Sequence, residues 1–299
     1  MDGRAEQGIR ATQVGLLVNV ALVLVKMMAG IIGHSYALVA DAVESSMDIF
    51  SSLIVWGGLR VASQPADEEH PYGHGKAEPL ATAVVALLLL GAAAGITVTA
   101  IRGIRAPHQT PAPFTLVVAA AVVVIKEVLY RRVSGVGAET GSHAVKADAW
   151  HHRSDAISSL AAFFGIAVAL WKGPGWETAD QWAALVAAVV IAINGGLLLR
   201  PAVHDLMDRR PDARIADEVQ ALASGVEGVC LIEKLRVRRF ASEYFVDMHV
   251  QADAAMSLEE SHNLSGRVKH TVRSALPLVV EVLIHMEPYE VPVADRVSV

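Results

Sequence analysis

The chain has 299 residues, of which 53% are hydrophobic and only 19% are charged, with a mean hydropathy of +0.42. Soluble domains run nearer roughly 45–50% apolar and about 25% charged, so an ordinary soluble globule is excluded. The net charge of −6 argues against a nucleic-acid partner, and one cysteine, Cys230, leaves no internal disulfide and no multi-thiolate metal site within a chain.

Six apolar runs follow in order: Val14–Ile32, Ser35–Leu59, Leu80–Ile101, Pro113–Tyr130, Ala156–Trp171 and Trp182–Leu199. Each approaches the ~20 residues that span a hydrocarbon core. The expectation is six transmembrane helices, the fifth extended at its start to take in His151 and Asp155. The first run is longer than a signal-peptide core, so it is expected to be a span and not a cleaved leader. One set of connecting segments carries Arg4, Arg10, Arg60, Lys76, Arg131, Arg132 and Lys146. The other carries Arg102, Arg105 and Lys172. The richer side is expected to be cytoplasmic, with both termini on it.

The composition changes at "MDRRPDARIADE", a charged, proline-containing boundary. The expected division is a membrane domain over 1–207 and a cytoplasmic domain over 208–299. In the tail, Ile215–Ser224 reads as an amphipathic helix, and Cys230–Val237 and Tyr244–Ala252 read as strands, with Cys230 as a small buried strand residue. Ser257 followed by Glu260 reads as a capping box opening a helix over Ser257–Leu276. Val279–Glu287 reads as a last strand. The α-β-β-α-β order predicts a small α/β sandwich.

Charges inside the apolar runs carry the chemistry. On translocon scales each ionised side chain at the bilayer centre costs roughly 2.5–3.5 kcal/mol, so such residues mark function. Glu44 and Asp48 are spaced i, i+4 and share one helix face, with Asp41 near the same stripe. His151 and Asp155 are again i, i+4, while His152 lies one residue round the helix and is expected to face solvent or a neighbour. If the two helices face each other, they offer one imidazole and three carboxylates, a donor set for a tetrahedral divalent ion, most commonly Zn²⁺. In the loop "SQPADEEHPYGHGKAEPL", Asp67, His70 and His74 can hold a metal or simply be solvated. The chain has no HExxH, which argues against an intramembrane metalloprotease.

Three separated motifs, "SYALVADAVESSMDIFSSL", "QPADEEHPYGHGKAE" and "HAVKADAWHHRSDAISS", together resemble the cation diffusion facilitator (cation efflux) family of divalent-metal transporters over nearly the whole chain. The resemblance implies a six-helix bundle with a ferredoxin-like, metallochaperone-like cytoplasmic domain. It also implies a homodimer in the lipid bilayer that exports divalent cations from the cytoplasm in exchange for protons. A bacterial inner membrane is the expected location, and no organic cofactor is expected.

The transport site maps onto Glu44, Asp48, His151 and Asp155, with Asp41 as an auxiliary acid. Family members commonly have Asp or His where this chain has Glu44. That departure makes the site richer in oxygen, so Zn²⁺ stays the first expected cargo while harder ions such as Fe²⁺, Mn²⁺ or Co²⁺ gain weight, with Cd²⁺ a further alternative. The resemblance assigns Asp67, His70 and His74 to a second metal site. In the tail it assigns His249, His262, His285 and Glu287 to a further one, with Glu233 where some members have histidine. It pairs Lys76 with Asp208 in a charge interlock at the dimer junction. A metal-sensing or scaffold protein without transport is the alternative.

Overall fold

The computed structural model describes residues 3–105, 110–140, 143–172, 175–211, 213–240 and 243–289. Six long helices come first: α1 (Gly3–Ile32), α2 (Tyr36–Ala62), α3 (Ala77–Arg105), α4 (Pro113–Thr140), α5 (His143–Lys172) and α6 (Ala179–Leu206). Each runs past at least one end of the apolar run that predicts it, because polar helix formers continue the backbone hydrogen bonding beyond the apolar stretch. Among the described residues, α1, α3, α4, α5 and α6 contain segments long and apolar enough to cross a membrane. The 27-residue α2 matches them in length and differs through Asp41, Glu44 and Asp48.

The chain forms two compact units, one from Met1–Gly57 with Ala81–Arg200 and one from Gly58–Leu80 with Pro201–Val299. In the first, α4 packs along α5 and against α1. Leu38 of α2, fully buried, joins Ala29 of α1, Ala119 of α4 and Ile166 of α5. A second apolar cluster binds Ala40 of α2 to Val85, Ala93 and Ala100 of α3 and to Ala184, Ala188 and Ile191 of α6. The small residues let the helix backbones approach closely, which is how helices associate where lipid is as apolar as leucine. Leu17, Met28, Trp56, Val117, Trp171 and Leu197 point outward, as expected of a surface whose solvent is lipid.

The α1–α2 connection is only three residues, Gly33–Ser35. It turns through a left-handed His34 (φ 53°), and Ser35 Oγ accepts from the Leu38 N–H (3.2 Å). The Ser35 hydroxyl in turn donates to Asp180 of α6 (2.6 Å), which also accepts from the Tyr36 backbone N–H. A carboxylate at the start of α2 is stabilised by the positive end of the helix dipole.

The tail forms α7 (Ala213–Ser224), β1 (Leu231–Phe240), β2 (Glu243–Ala252), α8 (Leu258–Ala275) and β3 (Val279–Pro288), the predicted order. The sheet runs β1-β2-β3, with β1 antiparallel and β3 parallel to β2. Ala216, Val219 and Ala223 of α7 and Leu264, Val268 and Val272 of α8 bury one helix face each against Val246, Met248 and Val250 of β2 and Val282 of β3. Each fully buried Val or Leu contributes roughly 1.5–3 kcal/mol. The Ser257–Glu260 capping box forms in both directions. Cys230 departs from expectation: it precedes β1, and its thiol is exposed because the strand's in–out alternation begins only after it.

Candidate metal centres

Helices α2 and α5 meet through hydroxyl–carboxylate contacts. Ser159 Oγ donates to both carboxylate oxygens of Asp41 (3.0 and 3.1 Å), and one turn along α2 Ser158 Oγ donates to Glu44 Oε1 (3.3 Å). Asp41 is buried, and Glu44, Asp48 and Asp155 are half-buried. The backbone of α5 includes His151, but its side chain lies outside the described residues. His152 is 1% exposed, and its ring packs so tightly on Gly15 of α1 that a Cβ there would stand 2.9 Å from Nε2. Of the two surroundings expected for His152, solvent or a neighbour, the structure gives the neighbour, α1.

Two lysines complete this region. Lys26 of α1, 0% exposed, is held by Asp41 Oδ1 (3.1 Å), the Asp41 carbonyl (3.0 Å) and Ser45 Oγ (2.7 Å). Lys126 of α4, 1% exposed, donates to Asp155 Oδ2. Both stand out in the sequence as single basic residues in apolar runs. Their partners are invisible there, because a helical period defines a face and not what faces it.

The loop between α2 and α3 brings Asp67, His70 and His74 together, one ligand atom from each lying within 4.8 Å of the others. The Asp67 carboxylate accepts from the His70 N–H (2.6 Å) and contacts His70 Nδ1 (3.2 Å) and His74 Nε2 (3.5 Å). That backbone N–H, helped by the imidazoles, holds the Asp67 carboxyl below its usual range. The next turn packs closely on the tail, since a Cβ on Gly75 would lie 2.4 Å from the Phe240 ring. Only glycine fits there.

In the tail, His249, His285 and Glu287 likewise bring one ligand atom each within 4.8 Å of the others. The register explains it: His249 on β2 pairs with His285 on β3, and Glu287 lies two residues on, on the same face. All three project from the face opposite the helices. His249 Nδ1 meets Glu287 Oε1 at 2.7 Å, and this bond is the main reason the Glu287 carboxyl lies below its ordinary value. A β-bulge between Glu233 and Arg236, with Lys234 at φ 48°, brings the Lys234 ammonium to 3.4 Å from His249 and 3.6 Å from Glu287. Glu233 is the β1 register partner of His249 but is not part of the cluster. His262 is exposed on α8 and is not part of it either, because α8 covers the other face of the sheet.

Lys76 Nζ reaches Asp208 Oδ1 (2.6 Å) and the carbonyls of Asp205 and Leu206 (3.1 and 3.3 Å). It therefore caps the C-terminal end of α6, where a cation is favoured, and the pair closes within one chain.

Residues 12–207 match the family described as cation efflux transmembrane domain, and residues 211–289 match the cation efflux protein, cytoplasmic domain, a dimerisation domain. A manganese efflux system protein of Bacillus subtilis, MneP, is 30% identical over 92% of this chain and 94% of its own. The magnetosome protein MamB of Magnetospirillum gryphiswaldense is 29% identical over 93% of each chain. A solved structure of a MamM CTD variant covers 27% of this chain and 95% of that one at 18% identity, with a TM-score of 0.26. The membrane-suited helices, the acids between α2 and α5 and the two matched domains converge: the chain is a multi-pass membrane protein of the cation efflux family, whose members move divalent metal cations and are not enzymes.

Proposed function

We propose that this protein exports a divalent transition-metal cation from the cytoplasm by proton antiport, with Glu44, Asp48, His151 and Asp155 as the transport ligands and Asp41 as an auxiliary acid. The observation that carries the reading is the meeting of α2 and α5 through Ser158–Glu44 and Ser159–Asp41. It gathers carboxylates from two helices in a region otherwise suited to hydrocarbon. Metal binding requires ionised carboxylates and neutral imidazole, so affinity falls as pH falls, and alternating access to such a site couples metal exit to proton entry.

Asp67, His70 and His74 form a second site. His249, His285 and Glu287 form a third, which senses cytoplasmic metal at the tail. His262 and Glu233 lie outside it. Residues 1–207 transport and 208–299 dimerise and sense, with both termini cytoplasmic in an inner membrane. Among cargoes, Mn²⁺ and Fe²⁺ fit better than Zn²⁺. Glu44 and the serine hydroxyls make the site rich in hard oxygen, and a relative covering most of the chain is a manganese efflux protein.

The test is reconstitution in liposomes with a trapped pH dye. Addition of Mn²⁺ should drive metal one way and protons the other, and Zn²⁺ should be slower. Glu44→His should shift preference toward Zn²⁺. Metal flux without proton flux would indicate a channel. Tail metal binding with no flux at all would favour a sensor or scaffold.

A further inference from the structure

The α2 stripe and Asp155 bring four carboxylates into the bundle, and two buried ammonium groups meet them, Lys26 at Asp41 and Lys126 at Asp155. A lysine in hydrocarbon is retained only where its charge has a partner. These two have side chains at 0% and 1% exposure, and each reaches its acid from a helix that contributes no proposed ligand.

We propose that Lys26 and Lys126 are tethered counter-cations of the transport site. This deepens the transport reading and rests on it. Lys126 holds Asp155 when the cargo has left and yields its oxygen when cargo enters. Lys26 keeps Asp41 and Ser45 in place beside the site and sets the fixed positive charge against which cargo must bind. The same charges weaken the hold on a divalent ion, so that it can be released. They also discriminate against a monovalent ion, which brings too little charge to displace an ammonium group from its carboxylate. The lysines are positioning and specificity residues, and none of this depends on their losing a proton.

The experiment measures metal dissociation constants on the purified full-length dimer and turnover in liposomes, using Mn²⁺ as the probe. Lys126→Met should tighten Mn²⁺ binding by about tenfold or more, the scale of removing one like charge near a bound cation, while turnover falls as release slows. Lys26→Met should act in the same direction and more weakly. Lys126→Arg and Lys26→Arg, which keep the charge, should return both quantities toward those of the unsubstituted protein. Binding that is unchanged or weaker in both Met variants overturns the proposal. Asp48→Ala is measured alongside: if it leaves Mn²⁺ binding intact, the ligand assignment itself fails. If it abolishes binding while the Met variants do not tighten it, only the counter-cation role fails.

A second measurement needs no substitution. In lipid, dipolar coupling between ¹⁵Nζ-lysine and ¹³Cγ-aspartate should report the Lys126–Asp155 pair, with Lys76–Asp208 as an internal reference. Saturating Zn²⁺, a diamagnetic divalent ion that leaves neighbouring resonances observable, should remove the first coupling and leave the second, and persistence of both overturns the proposal.

Discussion

The proposed transport site and the tail site use the same ligand chemistry in opposite surroundings. Between α2 and α5, carboxylates meet serine hydroxyls and buried lysines, with Lys26 at 3.1 Å from Asp41. On the sheet face opposite the tail helices, His285 is exposed and His249 and Glu287 are half-buried, and Lys234 stands off at 3.4–3.6 Å. Where the dielectric is low, an unpaired charge is expensive and every acid needs a near partner. Where water is at hand, a loose cation suffices and contributes little. The same substitution should therefore be severe in one place and graded in the other.

The largest effect is expected inside the membrane. Asp48→Ala and Asp155→Ala should each reduce metal flux in liposomes to background while the protein still elutes as a dimer. Retained flux in both would collapse the contrast. Next comes the tail, where Glu287→Gln or His285→Ala should weaken metal binding at that site by at least the roughly 10–100-fold that a lost outer-shell partner costs. Flux should persist with a shifted metal dependence, and complete loss of transport would make the two sites one functional unit.

Acid sharpens the comparison further. The carboxyls of Asp67 and Glu287 titrate below their ordinary range in the folded protein. Their contribution to stability is therefore complete above the unfolded carboxylate value of about 4.3 or lower and is lost as pH falls through the still lower folded values. Thermal unfolding of the tail should be insensitive to these groups at neutral pH and decline only below that range. Glu287→Gln should flatten the decline. The smallest effect belongs to the Lys76–Asp208 pair, whose side chains are about a third or more exposed. A double-mutant cycle on dimer stability should return a small non-zero coupling of up to about 1 kcal/mol, shared between the two substitutions. Strict additivity would mean that the contact, including the α6 cap, contributes nothing.

Much of this architecture is readable from residue order. Six apolar runs foretell six helices, and the period-two and capping-box signals in the tail foretell its elements. The i, i+4 acids of α2 and the His-rich loop point to the places where ligating atoms converge. Lys26 and Lys126 are each the single basic residue of an apolar run, but their acids lie 15 and 29 residues away. Periodicity says which way a side chain points and not which helix it meets. Lys234 reaches its cluster through a bulge that alternation does not encode. His262 failed to join for the converse reason, because its helix covers the other face of the sheet. His152 looked spare beside His151, yet Gly15 makes room for it.

The two buried ion pairs also bear on how the chain enters a membrane. Lys26 and Asp41 lie on consecutive helices joined by three residues, and Lys126 and Asp155 lie on the consecutive helices α4 and α5. Inserted alone, α2 would expose three carboxylates to lipid, each at roughly 2.5–3.5 kcal/mol. Its own sequence is the least suited of the six to leave the translocon unaided. Delivered as a hairpin with α1, it arrives with one acid already neutralised, and α4 does the same for α5. The order of helices along the chain thus doubles as an order of biogenesis, in which each acidic helix is preceded by the basic one that lets it partition into the bilayer.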